Sequence, residues 1–186
     1  MRVSELAGDV DGDGRSDRVQ VYGEGSDEAP GPWQVAVDLA ANGRRAATIT
    51  DADFDDPTQR VRVLGVAGLG GEPVVFVVVG VGASASVVGF FQLVGCELVR
   101  VLTPAQSAAS YAVGATVTHL DGLRCTARGL EILSAESADG VAYSATTTPA
   151  VLAHGTITLG PGTTAEATPA DLMAYGSLSC PGVEPL

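Results

Sequence analysis

The chain has 186 residues, 46 % of them hydrophobic, with a formal net charge of −12 and an isoelectric point near 4.3. That length suffices for one domain with a real core, and the apolar content excludes a disordered chain. Ten basic side chains, all arginine, against 22 acidic ones leave no basic face for phosphate, which excludes nucleic acid as a partner. The missing lysine, beside abundant Ala, Val and Gly, suits a GC-rich genome of actinobacterial type.

Residues 1–8 lack the apolar core of a signal peptide and are too few for a helix of ordinary length. Asp9 to Asp17 then read Asp-Val-Asp-Gly-Asp-Gly-Arg-Ser-Asp. Carboxylates stand at loop positions 1, 3, 5 and 9, a glycine (Gly14) at position 6 and Arg15 at position 7. Such a loop can turn the side chains of Asp9, Asp11, Asp13 and Asp17 and the Arg15 carbonyl inward. Calcium asks for this kind of set: six to eight oxygens at roughly 2.3–2.6 Å, and a glycine at the sharp turn. Four neighbouring carboxylates repel each other without a cation, so calcium is preferred over a solvated acidic turn.

The loop is not an EF-hand, because position 12 is Gln20 where that motif needs a bidentate Glu. Arg18-Val19-Gln20-Val21-Tyr22 alternates polar with apolar, so the loop opens into a strand. A calcium loop opening directly into a strand resembles the FG-GAP (VCBS) repeat of integrin alpha-chain propellers and of many secreted bacterial proteins. Gly8 to Tyr22 carry the resemblance. It implies a blade-like β-architecture around a bound Ca2+. A shorter second copy fits Gly65 to Val77, where glycines replace the aspartates and Glu72 stands in the place of Asp17; an ordinary Gly-rich hairpin is the alternative. The copies are about 57 residues apart, room for four short strands each.

Trp33–Leu39 alternates and leads through Asn42-Gly43 into 46–50, a hairpin pattern. Asp51, Asp53, Asp55 and Asp56 form a second acidic cluster, but without a glycine at the turn and with Pro57 behind it, it reads as a solvated loop. Arg60–Leu64 alternates again. Between Glu72 and Glu97 run 24 uncharged residues, long enough for a membrane span. The β-branched blocks Val74–Val79 and Val87–Val88, parted by Gly-Val-Gly-Ala-Ser, instead predict two buried strands of about seven residues. Gly80-x-Gly82-x-x-Ala85 matches a loose dinucleotide fingerprint, but a strand pattern follows where a helix is required. Further strands are expected at 97–102, 111–119, 122–127, 129–134, 141–147 and 151–159, with turns at Asp139-Gly140 and 160–162. Pro169 to Tyr175 is the one short helix. The expected fold is a single all-β domain of antiparallel meanders over 1–58, 59–103 and 104–186: partial-propeller-like, an open stack, or a small sandwich.

No nucleophile elbow, His-Glu-x-x-His or Cys-x-x-Cys occurs. His119 and His154 lack partners at motif spacing and read as strand or turn residues, although His119 can meet Asp121 in space. Cys96, Cys125 and Cys180 do not have metal-site spacing. In an oxidising compartment two pair, and Cys125–Cys180 is the preferred bond because it would pin a Gly-, Ser- and Pro-rich tail with little apolar surface. Cys96, among apolar neighbours, is then expected to be a buried thiol; in a reducing compartment all three stay free. The expectation for function is a non-catalytic, calcium-stabilised, extracellular or cell-surface β domain that binds a protein or glycan or serves as a scaffold, the mature part of an exported protein. The alternative is a hydrolase, or an accessory domain of an enzyme, with a site assembled from distant loops.

Overall fold

A computed structural model describes residues 2–25, 30–41, 43–50, 53–54 and 61–186. The first meander comprises β1 (Arg2–Gly8), β2 (Asp17–Gly25), β3 (Pro30–Leu39) and β4 (Gly43–Ile49), an antiparallel sheet in that order. The period of two along each strand decides its faces. Val19, Val21, Val35, Val37 and Ile49 enter a core. The opposite face is polar: Arg18 and Arg44 both reach Asp38 at 3.2 Å, and the Arg44 guanidinium lies 5.5 Å from the Tyr22 ring centre. Residues 2–8, too short for a helix, are the outer strand of this sheet, in register from Gly8↔Asp17 back to Ser4↔Val21.

The two-residue strand β5 (Asp53–Phe54) pairs parallel with a strand of the second meander. Apart from Asp53 and Phe54, the acidic cluster of 51–57 lies outside the described residues. The second meander comprises β6 (Arg62–Leu69), β7 (Glu72–Val81), β8 (Ala85–Val94) and β9 (Glu97–Arg100). Here β7 explains the uncharged run. Val75, Val77 and Val79 face the first meander, whereas Val74, Phe76 and Val78 enter a second core on the other side. A strand covered on both faces has no polar side to present, and alternation disappears. The run is therefore two ten-residue strands joined at 82–84, not a span. No helix among the described residues is long and apolar enough to cross a membrane. With β8 following directly, Gly80 and Gly82 belong to a hairpin and not to a dinucleotide loop.

The third meander comprises β10 (Ser110–Ala115), β11 (His119–Thr126), β12 (Gly129–Glu136) and β13 (Tyr143–Ala153). Strand β8 joins it to the second: residues 85–89 pair with β10, and 91–94 with β9. The outer edge of β13 carries β14 (Thr156–Leu159) and β15 (Thr163–Ala167) end to end. Expected strands 141–147 and 151–159 are thus corrected to one strand ending at Ala153. Pro149, which has no amide proton to donate, lies between the stretches of β13 that pair with β14 and β15, and its carbonyl accepts the Gly160 N–H at 2.8 Å. The real turn is His154-Gly155, with φ of 51° and 76°. The helix α1 (Pro169–Tyr175) covers Leu120, Ala135 and Ala145 with Leu172 and Tyr175. The short β16 (Leu178–Ser179) pairs parallel with β11.

The result is all-β and antiparallel apart from β5, β16 and the single bridge Leu102↔Thr156, with no closed barrel among the described residues. Phe76 and Phe90, edge to face with ring centres 5.1 Å apart, mark the middle of the core between the second and third meanders. Cys125 and Cys180 form a disulfide with Cα atoms 4.8 Å apart. Two expectations are overturned beside it. Cys96 is exposed, because Gly95 (φ 61°) and Cys96 form the turn between β8 and β9 and no strand carries the thiol inward. The tail is also not poor in buried surface: Leu178, Cys180 and Val183 are each at most 9 % exposed.

Candidate metal centre

The loop between β1 and β2 is held by its own aspartates. Asp9 accepts the Gly12 N–H at 2.8 Å and the Gly14 N–H at 3.0 Å, one on each carboxylate oxygen. Asp11 accepts from the Asp13 amide at 3.2 Å, and Asp13 from the Arg15 amide at 2.8 Å. Gly12 and Gly14 have φ of 76° and 82°, the left-handed region that glycine adopts without steric cost, so the alternation of Asp with Gly is a geometric requirement of the curl.

Asp17 anchors the loop from below. At 3 % exposure, its Oδ2 accepts the Val10 N–H at 2.8 Å and its Oδ1 accepts the Ala40 N–H at 2.9 Å. The carboxylate therefore ties the loop to the end of β3, 23 residues further along. A carboxylate has about four acceptor positions, so each oxygen retains one for a cation.

Ligand atoms of Asp9, Asp11 and Asp17 lie within 4.8 Å of one another. Two oxygens on opposite sides of a calcium ion are separated by about twice the bond length, roughly 4.6–5.2 Å. The three carboxylates thus fit the hard-oxygen shell of one cation. Asp13 lies outside this group, exposed with its Oδ1 on the Arg15 amide, and Arg15 is exposed as well. Bringing Asp13 in requires that one side chain to turn. The Gly65–Val77 segment has no such loop. It reverses through Gly70 and Gly71 alone, in register Leu69↔Glu72.

Beside the loop opens a cleft of about 740 Å³ where all three meanders meet. Asp11, Asp13 and Arg45 line it from the first, Glu72 and Cys96 from the second, and His154 from the third. Gln92, 2 % exposed, organises its floor by donating to Glu72 and accepting the Gly155 N–H at 2.7 Å. His154 Nδ1 is 3.8 Å from Glu72. The cleft is not legible in the sequence, since it gathers residues from 10 to 154; the one signal is Glu72 standing at the place of Asp17. The other histidine, His119 at the start of β11, has Asp121 at 2.7 Å and Glu136 at 3.6 Å, a carboxylate on each ring nitrogen.

No protein-family model, curated protein or solved structure matches the chain.

Proposed function

We propose that this is a calcium-stabilised, extracytoplasmic β domain that acts by binding a protein or glycan or by scaffolding. The observation that carries the reading is the triad of Asp9, Asp11 and Asp17 with ligand atoms within 4.8 Å, in a loop that opens directly into a strand. The order of loop and strand is that of an FG-GAP repeat, and Asp13 and the Arg15 carbonyl would complete the shell. The Cys125–Cys180 disulfide supports an oxidising compartment.

Calorimetric titration with calcium tests the site. An affinity on the order of 10⁻⁴–10⁻³ M is expected, as for extracellular modules. Asp13→Ala should abolish the heat of binding. An unchanged isotherm would remove Asp13 from the ligand set, and one unchanged in Asp11→Ala as well would remove the loop from the proposal.

One observation favours the hydrolase alternative: His154 and Glu72 share a cleft of small-molecule size. Among the described residues no hydroxyl or thiol hydrogen-bonds to His154, so a nucleophile would have to come from the ligand or from water. Turnover of chromogenic ester and glycoside substrates that disappears in His154→Ala would decide for it.

A further inference from the structure

We infer that the carboxyl-terminal segment 177–186 is a redox-controlled strap, latched by Cys125–Cys180 and able to lift from the core when that bond is reduced. The strap crosses between two meanders. On the third, it makes only a two-residue parallel pairing, Leu123↔Leu178 and Arg124↔Ser179, extended by the Leu123 N–H donating to the Ser177 carbonyl at 2.9 Å. On the second, it makes a single bridge, Gly65↔Val183, one hydrogen bond from the Glu184 N–H to the Leu64 carbonyl at 2.8 Å, and an Arg62–Glu184 ion pair at 3.1 Å whose side chains are 39 % and 61 % exposed. An ion pair this exposed contributes little.

The strap nevertheless covers something. Leu178, Cys180 and Val183 belong to the core between the second and third meanders, with Leu186 packed against it. Its place on β6 is fitted at backbone level: a Cβ on Gly65 would stand 2.2 Å from the Gly182 carbonyl oxygen. Val183 and Glu184 also occupy backbone groups at Leu64 and Gly65, an edge that would otherwise be open to another strand. Few hydrogen bonds, a short apolar contact and one covalent tie describe a segment whose local opening is governed by the tie.

The chemistry needs a dithiol reductant. One of its thiolates attacks a sulfur of the pair, and the other protein sulfur leaves as thiolate and takes up a proton. The second reductant thiol then displaces the remaining protein sulfur. Two protein thiols and one oxidised dithiol result, two electrons having moved to the protein. Opening then exposes Leu178, Val183 and the β6 edge while β1–β4 stay folded.

Amide hydrogen exchange on the full chain tests this, in a Cys96→Ser background so that no third thiol can exchange partners. Reduction with dithiothreitol should speed exchange at Leu123 and Glu184 by about tenfold or more, with amides of β2 and β3 unchanged. The Cys125→Ser/Cys180→Ser variant should reproduce that pattern without reductant. Gly65→Ala, with the disulfide intact, should free Glu184 but leave Leu123 protected, which separates the two anchor points. No change on reduction would show that packing alone holds the strap. Equal acceleration throughout the chain would show global loosening. Either outcome overturns the inference.

Discussion

Asp17 and Asp13 are both candidate calcium ligands, yet their surroundings assign them different costs of removal. Asp17 is buried and accepts the Val10 and Ala40 amides; Asp13 is exposed and accepts one amide within its own loop. A buried donor deprived of its acceptor costs about 1–3 kcal/mol, whereas exposed substitutions fall within about 0.5 kcal/mol. In chelator, Asp17→Ala is therefore expected to lower the unfolding free energy by roughly 2–4 kcal/mol and Asp13→Ala to leave it nearly unchanged. Urea denaturation of both variants makes the comparison, and equal effects would deny Asp17 its anchoring role. The spacing of the aspartates was readable from the chain, because the loop closes within nine residues. The clasp to Ala40 was not, since it depends on where β3 ends. The exposure of Cys96 was lost for a related reason: a run of apolar neighbours says nothing about which residue a turn takes out of the core.

Among the elements, those with strong local signals lie where they were expected. Pro169 to Tyr175 forms the helix as read, with Thr168 before it donating its N–H to Asp171 at 3.0 Å. The two strands β7 and β8 follow the β-branched blocks. What escaped were strands whose formation depends on a neighbour, β5 and β16 among them; two others are β1, which pairs with β2, and β15, whose residues Thr163–Glu166 are exposed and show no inside face. Neither has a pattern of its own to detect. The seating of α1 depends on Gly122 of β11. A Cβ there would stand 2.8 Å from the carbonyl oxygens of Ala174, Tyr175 and Ser177. Backbone oxygens at that distance cannot yield without moving the helix end. Gly122→Ala should therefore destabilise the protein by about 1–3 kcal/mol, the range for overpacking. The β12 face that α1 covers should also become solvent-accessible, read as faster exchange at the Ala135 amide. An unaltered melting curve would mean that the helix end has slack the packing does not suggest.

At the scale of the whole molecule, three meanders share two continuous cores through β7, and the two outer faces are finished differently. The first meander ends in charged and polar side chains, the third under α1. This arrangement makes the loop between β1 and β2 a stability determinant for the entire chain and not a local ornament. The loop joins β1 to β2, whose Val19 and Val21 pack in the same core as Val75, Val77 and Val79 of β7. Val10 of the loop itself is buried in that core, so the loop cannot come apart fully without opening it, and a ligand bound only to the folded loop shifts the global equilibrium. For a site of about 10⁻⁴ M, roughly 10 mM calcium adds about 2.7 kcal/mol. In a domain of this size that corresponds to a rise in Tm of roughly 5–10 °C. Thermal melts in calcium and in chelator should show this difference, and Asp13→Ala should erase it while melting in chelator like the parent chain. Coincident melts of the parent protein would mean that no structural ion occupies the loop. A calcium shift that survives in Asp13→Ala would remove Asp13 from the shell, and one that survives in Asp11→Ala as well would place the ion elsewhere.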